Sequence, residues 1–468
     1  MTIEADYLVV GCGAMAMAFV DVLLTDTDAT VAIVDRREAP GGHWNDAYPF
    51  VRLHQPSANY GAPSKPLGRG RIDETGFNKG FYELATGTEV VNYFHELMRD
   101  AFLPSGRVLY YPMSDYAGGE IRSLLSGERR RVAVRKKLVD ATRFNTSIPL
   151  THKRAFSVAD GVRCIPPNHL PRVAPDHDSF VVLGGGKTAL DTITWLIAGG
   201  VAPEAIVWVA PRDAWLVNRA AMQPGPEAFE RAVGALAAQY EICAAAKSVD
   251  EMCEGLEAAK IWLRPDPSVR PAMIHGATVS EAEVDAVRKV GRVVRMGRVK
   301  SLEPGRMSLD GGDAVTPRDA LYIDCTARAL GGNIGDAEPV FSDGKISLQM
   351  IRQFQPTFSA ALIGRIEASI GDEAQKRDLA AATPMTDTVE QWIGGQALNI
   401  RNQMKWSQSR ELRDWIAECR LDAFGTGVRA AVESGDPAKL AILQRIRAAS
   451  VPAMRNLERL AAAQRAAA

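Results

Sequence analysis

The sequence predicts an α/β chain in which one strand–turn–helix–strand unit occurs twice, ahead of a helical C-terminal segment. Three observations predict it. The first is the run Asp6-Tyr-Leu-Val-Val-Gly11-Cys-Gly13-Ala-Met-Ala16, carried on by apolar residues to Leu24 and then by Thr30-Val-Ala-Ile-Val-Asp35. The second is the same grammar at Ser179-Phe-Val-Val-Leu-Gly184-Gly-Gly186-Lys-Thr-Ala189, a helix-like run to Ala198, and Ala205-Ile-Val-Trp-Val-Ala210. A short β-rich run broken by glycine, an amphipathic helix and a second short apolar run make a βαβ unit. The third is size: 468 residues, 46% hydrophobic and 24% charged, suffice for two or three domains with cores of their own.

The remaining elements follow in order. Residues 40–80 are loop-rich, 89–102 read as a helix, and a hairpin around Gly127-Glu128 leads into a strand over 131–142. The proline-rich Ile165-Pro-Pro-Asn-His-Leu-Pro171 reads as a crossover into the second unit. Residues 226–259 read as helices, and strands follow at 292–298, 306–309 and 320–326. The apolar run 358–364, ending in Gly364, reads as one more strand. The expected division is 1–172 for the first dinucleotide-type domain, 173–318 for the second with a helical insertion, 319–385 for the return to the first, and 386–468 for the helical segment.

Several function classes are disfavoured. A net charge of -1 gives no field toward nucleic acid or an anionic membrane, so neither is an expected partner. None of the six cysteines forms a CxxC pair and the seven histidines form no HExxH, so no metal and no disulfide framework is expected. The apolar run over 7–24 follows Glu4 and Asp6 and contains Asp21, which suits a buried strand and helix rather than a signal peptide; the cytoplasm is the expected compartment. Cys325, Trp392, Trp406 and Trp415 read as packing residues, and the run from Glu128 to Arg131 as a solvated hairpin edge. The helical segment could mediate a homodimer.

The glycine turns carry the chemistry. A pyrophosphate gives up much of its water on binding, and a helix N-terminus offers it free N–H donors and a partial positive charge. Close approach of backbone and ligand excludes a Cβ, hence Gly11 and Gly13, while the small Ala16 lets helix and strand pack. Asp35 closes the second strand, where a carboxylate can accept hydrogen bonds from an adenosine ribose. In the second turn Gly186-Lys187-Thr188 looks like the end of a nucleoside-triphosphate loop, but Val181 stands where that motif needs glycine. Pro211-Arg212-Asp213 ends the next strand, and a guanidinium there suits a 2′-phosphate, so NADP(H) is preferred, with NAD(H) as the alternative because Asp213 would act the other way.

With Gly41-Gly42-His43-Trp44, Phe50-Val-Arg52-Leu-His54-Gln55-Pro-Ser57 and Gly184-x-Gly186-x-Thr188-Ala189-x-Asp191, the chain to about residue 364 resembles two-dinucleotide-domain flavoproteins, nearest to flavin-containing and Baeyer–Villiger monooxygenases. More closely it is similar to a group of bacterial FAD/NAD(P)-binding oxidoreductases. The resemblance implies FAD over Gly11, Gly13, Ala14 and Ala16 with its ribose at Asp35 and Arg36 alongside, and flavin contacts from Gly42, His43, Trp44 and Arg52. It implies a nicotinamide cofactor across Gly184, Gly186, Lys187 and Thr188 with Arg212 near the 2′-phosphate, and a small organic substrate. His54, Gln55 and Asn59 are the candidate catalytic hydrogen-bond donors beside the flavin. Three departures stand out: Phe156-Ser-Val-Ala-Asp-Gly-Val162 replaces the monooxygenase FxGxxxH, two Ala-Thr-Gly strand ends read Ala141-Thr142-Arg143 and Cys325-Thr326-Ala327, and Gly364-Arg365 stands for a late Gly-Asp. A reductase, dehydrogenase or oxidase on the same scaffold, or a non-catalytic binding protein, are the alternatives.

Overall fold

The computed structural model describes residues 2–144, 146–328 and 338–467. Two parallel sheets organise it. In the first, β1 (Ile3–Val10), α1 (Ala14–Asp26) and β2 (Val31–Val34) are the first βαβ unit, followed by α2 (Gly87–Leu97), β3 (Val108–Tyr111) and β4 (Arg129–Asp140). The second contains β5 (Cys164–Ile165), β6 (Phe180–Leu183), α3 (Lys187–Ala198), β7 (Ile206–Val209), β8 (Arg292–Val294) and β9 (Leu321–Asp324). Between β7 and β8 are the helices α4 (Phe229–Ala245) and α5 (Val249–Ala258). The chain returns to the first sheet with β10 (Phe341–Ser342) and β11 (Lys345–Ser347), then runs through α6 (Pro356–Ser369), α7 (Val389–Gln408) and α8 (Pro437–Ala467).

Along the path β10-β11-β4-β1-β2-β3 the first sheet is parallel except for the β10–β11 hairpin, and an antiparallel hairpin of Ser114–Ala117 and Glu120–Ser123 is added at the start of β4. The second has the order β8-β7-β6-β9-β5 and is wholly parallel. Strands of parallel sheets are covered on both faces, and β2, β6, β7 and β9 are buried at every residue, which is why they are continuous apolar runs. Both glycine turns leave the C-terminal end of a central strand. This is a doubly wound α/β fold used twice, with the second copy inserted into the first.

Two expectations are corrected. The crossovers lie further out than 172/173 and 318/319: β5 and β9 both pair within the second sheet, and the first sheet resumes at β10. Residues 358–364 are not a strand but the middle of α6, which packs on α1. Thr357 to Gly364 are all buried, so the run has no polar face to show a helical period, and periodicity alone cannot separate such a helix from a strand. Gly364 lies against α1, where a Cβ would come within 3.1 Å of the Phe19 carbonyl oxygen. Arg365 therefore projects from a helix and pairs with Asp26 at 3.0 Å and Glu411 at 2.7 Å.

The helical segment does not stand apart. Ala453, Leu457 and Leu460 of α8 and Trp392 and Ile393 of α7 share a core with Tyr240, Cys243, Met252 and Trp262 of the inserted helices and the strand after them. Among the described residues no helix is long and apolar enough to cross a membrane.

Candidate functional site: two glycine turns and the loop between them

At the first turn Gly11 has φ +100°, and a Cβ there would meet the Thr142 methyl at 3.2 Å. Only glycine adopts that backbone without strain. Gly13 caps α1 without a side-chain acceptor, and the first turn of the helix carries no acid. Gly11, Gly13 and Ala14 stay partly exposed while Ala16 is buried against the sheet. Gly42, at φ +59°, crosses this turn so closely that a Cβ would lie 3.0 Å from the Gly13 Cα, and Gly41 N donates to the Cys12 carbonyl at 2.8 Å. Asp35 is buried at the same place, accepting from Cys12 N at 2.5 Å and Arg37 N at 2.7 Å. Arg36 points outward, 76% exposed, and pairs with Asp115.

The loop that follows carries the other candidates. The rings of His43 and Trp44 stack at 5.3 Å, and Trp44 Nε1 donates to the Tyr60 hydroxyl at 2.8 Å. Burial, reinforced by the Arg37 charge, pushes His43 down to about 4. Burial, with the charges of Lys187 and Arg219, pushes His54 down to about 3. Both imidazoles are therefore neutral at neutral pH. Gln55 Nε2 donates to the Phe354 carbonyl at 2.8 Å. Asn59 is 7% exposed, and among the described residues neither atom of its amide has a partner. Arg420 holds the loop around it, donating to the carbonyls of Ala58 at 2.6 Å, Tyr60 at 2.8 Å and Ala62 at 3.0 Å. Arg52 does not join this group: it is exposed and tied to the Leu84 carbonyl at 3.1 Å.

At the second turn Gly184 and Gly185 are demanded by packing, since a Cβ on either would fall 2.6 Å from the carbonyl oxygen of Cys325 or Arg212. Gly186 differs. It caps α3 without a side-chain acceptor, and a Cβ there would meet nothing within 4 Å. Thr188 beside it is partly exposed. The Lys187 ammonium is engaged by Asp191 and Glu283 and is nearly buried, which leaves its backbone, at the start of α3, as the part of the residue facing the turn. Despite burial, those two carboxylates hold Lys187 above its usual value. Arg212 is half exposed and lies 3.9 Å from the Asp387 carboxylate, the one ion-pair partner it has among the described residues. Asp213 is buried in a two-bond pair with Arg295 at 2.9 and 3.2 Å, so it is not available to a ribose.

The structure adds residues that sequence reading missed. Arg219 is 1% exposed and binds Glu283 at 2.7 Å, the His54 carbonyl at 3.0 Å and the Asn78 amide oxygen at 3.2 Å. Although burial opposes it, Lys187 and Arg219 draw Glu283 down to about 2. Tyr48 donates to Asp191 at 2.6 Å, and Phe50 stacks on Trp195 at 5.0 Å. Together these bonds fasten the 48–82 loop of the first domain to α3 and its neighbours in the second. Their partners lie far apart in the chain, so no local motif announces them.

Two mononucleotide-type turns on nested parallel sheets define a two-dinucleotide-fold protein. The chain belongs to a family shared with proteins of Mycobacterium tuberculosis and Mycobacterium bovis that are described as uncharacterized: each is 43% identical over 421 residues, covering 90% of this chain and 78% of the relative. No family model matches the chain. Similar solved structures include a flavin monooxygenase from Stenotrophomonas maltophilia (15% identity, 79% of this chain and 100% of that one, TM-score 0.44) and an open form of cyclohexanone monooxygenase (15%, 78% and 88%, TM-score 0.46). A bacillithiol disulfide reductase from Bacillus cereus is similar at 12% identity over 78% of this chain and 99% of that one, with a TM-score of 0.44.

Proposed function

We propose that the chain is an FAD-dependent oxidoreductase reduced by NADPH, acting as a monooxygenase on a small organic substrate. The observation that carries the reading is the first turn. An uncapped helix N-terminus at Gly13, a positive-φ glycine at 11, Gly42 packed on Gly13 and a buried acid at 35 that accepts from Cys12 N meet there. Those residues fit a diphosphate and an adenosine ribose. Gly186, open in front of α3, and the uncommitted Arg212 fit a second, phosphorylated dinucleotide. Bound FAD would supply two-electron chemistry, with hydride drawn from the nicotinamide.

The chain's own residues set the surroundings. Asp35, already fixed by two backbone N–H groups, receives the ribose hydroxyls without reorganising. Neutral His54 and His43 can donate or accept a hydrogen bond but bring no charge. Asn59 offers a buried amide with both functions unused, as a donor beside the ring requires. Arg420 positions it, and the Trp44–Tyr60 bond braces the wall opposite Phe94.

Anaerobic titration of the FAD-loaded protein with NADPH, followed by air, tests this. The flavin band bleaches and then returns. Two resolved phases of return mark an oxygenase and a single phase a reductase or oxidase, the second reading that the altered segment at 156–162 favours. A protein that stays colourless with added FAD removes the whole proposal.

A further inference from the structure

Two arginines that share one carboxylate flank the second turn. Arg212 follows β7, with its carbonyl packed on Gly185, and Arg328 follows β9 just beyond Cys325, whose carbonyl packs on Gly184. Between them stands Asp387, which comes from the helical segment, immediately before Thr388, the cap of α7. Its Oδ2 lies 3.0 Å from Arg328 Nη2 and 3.9 Å from Arg212 Nη2, and its Oδ1 lies 2.8 Å from His275 Nε2. We propose that Asp387 is a specificity-determining residue of the second dinucleotide site, restraining the preference for a 2′-phosphate over a 2′-hydroxyl by holding part of the charge of Arg212 and Arg328.

Two observations set this cluster apart from an ordinary surface ion pair. The first is that a single oxygen faces both guanidinium groups. It marks a position where an anionic oxygen is held from two sides, as a phosphate oxygen would be. Both arginines stay open to solvent, 48% and 58% exposed, while the carboxylate between them is 19% exposed. The second is that the carboxylate is anchored. The Asp387 carbonyl accepts from Ile274 N at 3.1 Å, and its N–H donates to Gln391 Oε1 at 2.7 Å, beside the capping box of α7. An arriving phosphate therefore shares the site with the carboxylate.

The charge count decides what that sharing does. Burial holds His275 below its ordinary value, so the imidazole is neutral at neutral pH, and Asp213 is spent on Arg295. Two arginines less one carboxylate leave one net positive charge for a phosphate that carries nearly two negative ones. The fixed carboxylate repels that phosphate and barely affects a hydroxyl. It acts on the difference between the two dinucleotides, and specificity is such a difference.

The inference rests on the reading of the second turn as a nicotinamide-dinucleotide site. Its test is calorimetric titration of the protein, with FAD in excess, by NADP+ and by NAD+. Neither oxidised cofactor reacts with oxidised flavin, so binding is read without turnover. Asp387→Asn should tighten NADP+ about tenfold and leave NAD+ within about twofold. Arg328→Gln should weaken NADP+ about tenfold, again with NAD+ little changed. The double variant has the net charge of the wild type at this site and should return close to the wild-type ratio. A carboxylate that merely positions the arginines gives the opposite sign, with Asp387→Asn weakening NADP+. Melting temperature checks folding, and Asp387→Ser, which also removes the charge, replaces an Asp387→Asn that does not fold. Weaker or unchanged NADP+ binding on loss of the carboxylate, equal tightening of both dinucleotides, or wild-type NADP+ binding by Arg328→Gln overturns the proposal. If neither dinucleotide binds, the reading of the second turn fails and the proposal with it. The expected order in a protein that holds no FAD upholds the proposal and defeats the flavin reading alone.

Discussion

His54 makes acid stability a quantitative test of how the loop is buried. An imidazole that ordinarily titrates at 6.5 is held at about 3 in the folded chain. Below 6.5 the unfolded state therefore binds the proton that the folded state refuses. The sign is that stability is complete above pH 6.5 and is lost as pH falls toward 3. At pH 5 the difference is 1.5 pH units, or about 2 kcal/mol. For a cooperative unit of 150–250 residues that is about 4–8 °C in melting temperature. The perturbation is His54→Gln, which removes this titration and leaves every other histidine in place. Melting temperature is measured for both proteins between about pH 7.5 and pH 5. The wild type should lose about 4–8 °C more than the variant over that range, whatever the offset between them at neutral pH. Parallel curves would show that His54 is not buried away from protons by Lys187 and Arg219, and the description of the interdomain network would fail with it.

Three further outcomes are expected. Asp35→Ala should weaken FAD binding about ten- to hundredfold, from the loss of hydrogen bonds to a charged acceptor; full flavin retention on gel filtration would remove the acid from the site. Arg212→Ala should lower the preference for NADPH over NADH about tenfold in steady-state kcat/KM, and an unchanged ratio would clear Arg212 of a 2′-phosphate role. Arg420→Met should destabilise the protein by about 3 kcal/mol, because the carbonyls of Ala58, Tyr60 and Ala62 lose a charged donor; urea unfolding at neutral pH that matches the wild type would show the loop is held by other means.

How far the sequence was legible follows from distance along the chain. Both βαβ units were readable because each is a local device: apolar runs, a glycine where φ must be positive, and a helix of the right period. Asp35 was readable for the same reason, lying one unit from its turn. The 358–364 run misled because burial on every side erased its helical stripe. The partners of the Lys187 ammonium were not legible, because Glu283 is 96 positions away in the chain.

The sequence alone determined that two parallel-sheet folds are nested and that each carries an anion-ready turn, since those properties depend on neighbouring residues and elementary backbone sterics. Only the tertiary structure decided which charges are free and which are consumed. It paired Lys187 with Asp191 and Glu283, tied Asp213 to Arg295, left Arg212 half exposed and left the amides of Asn59, Gln353 and Gln355 incomplete. The Lys187–Glu283 and Asp213–Arg295 pairs join atoms 96 and 82 positions apart in the chain, and a buried group's charge and bonding are set by the partners that packing delivers to it.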